Sequence, residues 1–197
     1  MMPQPPPATA GLRARKRRET WLALRTAAQE LIAERGFEAV SVDEIAAAAR
    51  VSKRTFFNYF GSKEAVVFDP DPGEPAYWRA LLAARPDGEP AWTGLREVLL
   101  EYTGQTEAKL VAHKRMAAAS PALAQSSRSS TDEFWALVTS WAGQRDPGAG
   151  PFRAALLTAC AQTVLRTATA QWQIEDGIGR LHQLMREGFD VLGGGLG

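Results

Sequence analysis

The sequence predicts an all-α fold, a three-helix N-terminal module with helix-turn-helix spacing followed by a larger helical body. Three observations lead there. Strand signals are nearly absent: no run alternates β-branched and polar residues between hairpin turns, and Asp87-Gly88 is bracketed by Pro86 and Pro90. Apolar residues recur instead at steps of three and four, as in Trp21, Leu24, Ala28, Leu31 and Ile32. Finally, only Ala49-Arg50-Val51-Ser52 separates the second and third short helical segments, a connection of helix-turn-helix length.

In chain order, residues 1–12 are proline-rich and read as a disordered tail. Residues 13–63 form the first domain and residues 64–197 the second. The first helix carries the Trp21–Ile32 stripe and closes at Arg35-Gly36, where glycine suits the left-handed C-terminal position and Phe37 folds back on the last turn. Ser41-Val42-Asp43-Glu44 is a capping box that opens the second helix, with a hydroxyl at the N-cap and a carboxylate three residues on. A third helix is expected over residues 53–60, ended by Gly61, and Ser62-Lys63-Glu64 starts a fourth. Proline- and glycine-rich breaks then delimit helical segments near 76–84, 91–118, 122–144, 152–173 and 176–192. Gly94 and Gly104 leave open whether 91–118 is one helix or two, and Gly177 and Gly179 blur the start of the last.

Charge is divided unevenly. Residues 1–63 hold eleven Lys/Arg against six Asp/Glu, and residues 64–197 hold twelve against sixteen, so a net charge of +1 conceals a basic head on an acidic body. Such a head suits a polyanion met at one end only. No stretch reaches the roughly 18 uninterrupted apolar residues of a membrane span, and the single cysteine, Cys160, excludes an internal disulfide and fits a reducing, cytoplasmic setting.

A helix-turn-helix makes demands on residue types, and residues 18–63 meet them. Two helices that cross closely want small residues, supplied by Ala46 to Ala49; the second helix wants buried anchors, and Val51, Phe56 and Phe60 are spaced to provide them. Its other face must offer donors and flat groups to a major groove, and Lys53, Arg54, Thr55, Phe57, Asn58 and Tyr59 do so. The aromatic run Phe56-Phe57-Asn58-Tyr59-Phe60 leading into Gly61-Ser62-Lys63-Glu64, within the stretch from Gly36 to Val67, resembles the DNA-binding domain of the TetR family of repressors. The resemblance covers about a quarter of the chain; beyond it, only helical character and length agree.

From side-chain chemistry, and from position within the resemblance, Lys53, Arg54, Phe57 and Asn58 are expected at base edges: Arg54 on guanine, Asn58 on adenine, Phe57 against thymine methyls. Asn58 departs from the bulky aromatic or basic residue common in the family, so the operator sequence does not follow by analogy. Thr55, Tyr59 and Ser41 are expected at phosphates, and Lys63 resembles the family's phosphate-contacting lysine at a helix N-terminus. Arg13, Arg15, Lys16, Arg17 and Arg18 are expected to form an arm along the DNA backbone or in the minor groove, with Arg15, Arg17 and Arg18 on phosphates.

The resemblance further implies that the helical body holds a ligand pocket and a dimer interface. Trp78, Trp92, Tyr102, His113, Met116, Trp135, Trp141 and Cys160 are the pocket candidates. Leu157, Val164, Leu165, Trp172, Leu181, Met185 and Phe189 are the dimer candidates, on apolar stripes of the last two helices that equally suit packing within one chain. No phosphate-binding loop, dinucleotide glycine pattern, nucleophile elbow or zinc-ligand spacing is present, so neither an enzyme nor a cofactor or metal is expected. The reading is a ligand-responsive repressor, a homodimer on palindromic double-stranded DNA with a small-molecule effector and no membrane partner. The alternatives are an activator or ligand-independent regulator, a helical small-molecule-binding protein without specific DNA reading, and a protein-docking module.

Overall fold

A computed structural model describes residues 8–119, 132–146, 148 and 150–194. Among these, all regular structure is helical: α1 (Ala8–Arg35), α2 (Val42–Ala48), α3 (Lys53–Phe57), α4 (Lys63–Phe68), α5 (Glu74–Ala83), α6 (Ala91–Gln105), α7 (Glu107–Ala119), α8 (Asp132–Arg145), α9 (Gly150–Gln171), a 3-10 turn (Ile174–Asp176) and α10 (Gly177–Gly193). No described helix is long and apolar enough to cross a membrane. The described residues divide into two compact units, those of 8–73 with 113–119 and those of 74–112 with 132–194.

The N-terminal unit is built on the predicted stripe of α1. Trp21, Leu24, Ala28 and Ile32 are buried against Ile45 and Ala46 of α2, Phe56 of α3, Phe60, and Val66, Val67 and Phe68 of α4. Gly36 closes α1 at φ +80, and Phe37, 3% exposed, turns back onto the core as expected. Three serines start the next three helices. Ser41, Ser52 and Ser62 accept hydrogen bonds from the amides of Glu44, Thr55 and Ala65, each a cap worth about 1 kcal/mol.

Two expectations change here. Residues 1–12 were assigned to a disordered tail and residues 13–18 to an arm; residues 1–7 lie outside the described residues, and α1 already runs from Ala8, so the basic cluster is helical. No proline follows Pro7 to break a stretch rich in Ala, Leu and Arg, all good helix formers. The boundary expected after Lys63 also moves. Val66, Val67 and Phe68 are essentially inaccessible in the N-terminal core, and the division falls after Gly73.

The C-terminal unit packs α5, α6, the first residues of α7, α8, α9 and α10 around Trp78, Leu95, Leu99, Phe134, Val138, Ala161, Trp172, Leu181, Met185 and Phe189. The segment 91–118 is two helices, parted at Thr106 rather than at a glycine. Gly94 lies inside α6 because the helix meets Trp141 there: an added Cβ would stand 2.5 Å from the indole. Gly188 does the same for α10, where a Cβ would stand 2.8 Å from Val164 on α9. Of the segment expected over 122–144, residues 122–131 lie outside the described residues and the rest is α8.

Candidate nucleic-acid interface

The short helix α3 has two contrasting sides. Phe56 and Phe60 are buried, and the Phe60 ring packs at a tilt against both Phe56 and Trp21, at 5.7 Å between ring centres in each pair. Lys53, Arg54, Phe57 and Asn58 are exposed on the opposite side, Phe57 at 49%. Four aromatics in the five residues 56–60 cannot all share one face of a helix, and Phe57 is the ring turned to water. The helix is shorter than expected, since Asn58 is its C-cap and Tyr59 and Phe60 follow in the turn.

The remaining candidates occupy defined positions around α3. Thr55 is half-buried, its hydroxyl 2.8 Å from that of the cap residue Ser52. Tyr59 is half-buried with the Arg17 guanidinium 5.9 Å from its ring centre, which ties the basic face of α1 to the end of α3. Arg15 pairs with Glu19 and Arg18 with Asp71, both exposed arginines on α1. Lys53 reaches Asp43 on α2 at 2.8 Å, with both side chains more than half exposed. Pairs so exposed are worth at most about 1 kcal/mol, so these cations exchange partners at little cost. Arg54 has no ion pair among the described residues.

Ser41 and Lys63 are more deeply committed than the sequence suggested. Ser41 donates its hydroxyl to Glu44 Oε2 at 2.7 Å, its amide reaches the same oxygen at 2.8 Å, and its oxygen accepts from the Glu44 amide. These bonds and the Arg35 guanidinium, 2.8 Å from the carboxylate, lower the Glu44 pKa to about 2. Lys63 is half-buried. Its ammonium donates to the carbonyls of Phe37 at 2.8 Å and Val40 at 3.0 Å, and lies 4.0 Å from the centre of the Phe37 ring. Two of its three N–H donors therefore hold the loop between α1 and α2.

One positioning residue escaped the sequence reading. Arg25, 9% exposed, donates from Nε to Val66 O at 2.9 Å and from Nη2 to Asp69 O, capping the end of α4, while its guanidinium lies over Trp21 at 4.0 Å. Its signal was present: it falls between Trp21 and Ala28 on the buried stripe, where a charge is expected only with partners.

Residues 24–69, which span these helices, match the profile of the bacterial regulatory proteins of the tetR family. Over these residues the chain is similar to the TetR family. It is 43% identical over 79 residues to the HTH-type transcriptional regulator TcmR of Streptomyces glaucescens, a match covering 40% of this chain and about a third (35%) of that protein's length. A putative mycofactocin biosynthesis transcriptional regulator of Mycobacterium tuberculosis, MftR, is 27% identical over 171 residues, 85% of this chain and 86% of MftR. In structure the chain is similar to the fatty acid degradation regulator FadR of Bacillus halodurans, with a TM-score of 0.58, 21% identity, and coverage of 90% of this chain and 96% of that one. The last is a likeness of fold. TetR proteins are regulators rather than enzymes.

In the C-terminal unit, the eight pocket candidates do not form one group. Trp78, Tyr102 and Trp135 gather around Phe134, with ring centres 5.1–5.4 Å from it. His113 and Met116 pack instead within the N-terminal unit; the His113 ring stands edge-on to Phe68 at 4.9 Å, with Nε2 3.2 Å from Val67 O. Trp92 and Trp141 border separate open grooves, and each indole N–H is bonded to a carbonyl, of Phe189 and Leu82 respectively. Cys160 is half-buried on α9. In the core that contains Phe134, two donors are buried without a hydrogen-bond partner, Tyr77 Oη and Trp78 Nε1. Burial, with Glu74 nearby, pushes the Tyr102 pKa up.

The dimer candidates divide by burial. Val164, Trp172, Leu181, Met185 and Phe189 are at most 5% exposed, all within one chain's core, and Leu157 and Leu165 are half-buried against it. A side chain already enclosed by its own chain has no surface for a partner. The exposed apolar residues of α9 and α10 are others: Phe152 at 79%, Leu156 at 50% and Val191 at 57%. Near Val191 runs a groove of 290 Å³ bordered by Thr163, Thr167, Leu184, Gly188 and Leu192. On α9 the buried side is lined by small residues, Ala154, Thr158, Ala161, Val164 and Ala168, so side-chain size does not mark the core stripe there.

Proposed function

We propose that the protein is a cytoplasmic DNA-binding transcription regulator that acts as a homodimer on a palindromic operator, and as a repressor released by a small-molecule effector. The observation that carries the reading is the divided α3: two phenylalanines lock it into the core, while Lys53, Arg54, Phe57 and Asn58 stand outward. In a major groove these residues supply a bidentate guanidinium for guanine, an amide for adenine, an ammonium and an apolar ring. Thr55, Tyr59, Ser41 and the α1 arginines 15, 17 and 18 fix the register on phosphates, which carry no sequence information themselves. Lys63 adds its third donor from α4. In this reading the Asp43, Glu19 and Asp71 carboxylates hold Lys53, Arg15 and Arg18 until phosphates replace them.

The outward face of α9 and α10 supports the dimer. Phe152, Leu156, Thr163 and Thr167 share one side of α9, and Leu184, Gly188 and Val191 one side of α10, so a second copy related by a two-fold axis buries both. Two recognition helices then lie about one DNA turn apart, roughly 34–36 Å, and demand a palindrome. The unpaired Tyr77 and Trp78 donors support an effector site in the aromatic cluster around Phe134, where a bound acceptor satisfies them. Release requires an effector that favours the state with the wrong separation by only a few kcal/mol.

Selection of bound sequences from random duplex DNA, with and without a metabolite panel, tests these parts together. The expected result is a palindromic consensus lost in the presence of one compound. Recovery of sequences no different from the input pool would reject the reading.

A further inference from the structure

Five described residues have a positive φ, and four of them are glycines: Gly36, Gly88, Gly150 and Gly177. The fifth is Arg50, at φ +55. It sits at the corner between α2 and α3. There the Arg50 amide bonds Ala47 O at 3.0 Å and the Val51 amide bonds Ala46 O at 2.9 Å, so the left-handed residue is what terminates α2 and turns the chain into α3. Glycine takes this conformation without steric penalty, whereas a side chain with a Cβ is strained in it. The corner therefore retains a residue that disfavours its own backbone geometry.

What arginine adds is charge. Arg50 is exposed and has no ion pair among the described residues, in contrast to Arg15, Arg18, Arg35 and Lys53 of the same unit, each of which has an acidic partner. It lies three residues before the first residue of α3, at the end of that helix where Lys53 and Arg54 begin the outward face. A long cation placed there without a protein partner, at a position where strain argues against any side chain, marks a group kept for something outside the chain.

We propose that Arg50 contacts a DNA phosphate beside the recognition helix, adding affinity without sequence information. The proposal rests on the DNA-binding reading above and adds to it a residue outside the recognition helix.

The test compares the full chain with Arg50→Gly and Arg50→Lys. Binding to a random-sequence duplex of roughly 30 base pairs, long enough for two half-sites, is measured across a salt series, alongside thermal unfolding. Arg50→Gly should raise Tm by a few degrees through relief of the left-handed strain. The same variant should bind about tenfold more weakly per contact near 0.1 M salt, and flatten the slope of log K against log salt by about two for a dimer. Arg50→Lys should keep the wild-type slope. On a selected operator, Arg50→Gly should lower affinity by the same factor as on the random duplex, since a phosphate contact carries no base preference. An Arg50→Gly chain with unchanged affinity and slope would overturn the proposal, as would a loss confined to the selected operator. A wild-type chain whose duplex binding ignores salt would instead overturn the DNA-binding reading itself. Opposite effects on stability and binding distinguish a phosphate ligand from a residue that merely shapes the turn.

Discussion

Replacing Lys63 with Met separates a structural from a DNA-contacting role for the start of α4. The ammonium makes two hydrogen bonds, to Phe37 O and Val40 O, and a cation–π contact with the Phe37 ring. A hydrogen bond from a charged donor contributes about 1.5–3 kcal/mol net, and an exposed cation–π contact about 0.5–1 kcal/mol. The site is only half-buried, so water replaces part of what is lost. The low ends together come to about 3.5 kcal/mol, and with water replacing part of that, Lys63→Met should cost about 2–3 kcal/mol; methionine retains most of the stem over Phe37, so little of that loss is packing. With a urea m-value of about 1–3 kcal/mol/M, the unfolding midpoint falls by roughly 1 M. Amide hydrogen exchange should place the lost protection in the loop between α1 and α2 and in α4. A midpoint within about 0.2 M of wild type, with protection unchanged there, would refute the structural role and leave Lys63 as a phosphate ligand alone.

Gly188→Ala should destabilise the C-terminal unit by about 1–3 kcal/mol in thermal or urea unfolding, because the new methyl stands 2.8 Å from Val164, itself 5% exposed. A second change, Val164→Ala, should recover part of the loss, and a Gly188→Ala chain more stable than wild type would show that the seam between α9 and α10 is looser than described. Glu44 has its pKa lowered to about 2 by Ser41 and Arg35, so its stabilisation of α2 is complete above the ordinary carboxylate range and disappears as pH falls toward 2. Carboxyl NMR titration should find that low value, and Ser41→Ala should move it up toward 4.5; a Glu44 titrating near 4.5 in the wild type contradicts the capping box. Leu156→Glu with Val191→Glu should yield a folded monomer by sedimentation, since both side chains are at least half exposed. A dimer that survives both changes uses another surface.

The N-terminal unit was largely legible because its signals are local. A hydroxyl followed three residues later by a carboxylate, or a glycine after a periodic run, determines where a helix starts or stops without reference to the rest of the chain. Ser41, Ser52, Ser62 and Gly36 all behave so. What escaped were facts of packing. Ser62 correctly opens a helix, yet nothing in Val66-Val67-Phe68 says which core those residues join. Lys63 reads as a surface cation because its partners are main-chain carbonyls 23 and 26 residues away. In α9 and α10 the period identifies apolar stripes but not which neighbour covers each. His113 and Met116 were grouped with distant aromatics by residue type alone, although they pack against the N-terminal core.

The most direct test is the affinity of wild-type and Arg54→Ala chains for a selected operator and for its scrambled counterpart over a salt series. Outward-facing α3 predicts that both duplexes bind with log K falling steeply against log salt, and that Arg54→Ala narrows the preference for the operator by about 1–3 kcal/mol while changing the scrambled duplex far less. A salt-independent affinity, or a preference for the operator that Arg54→Ala leaves intact, would contradict it.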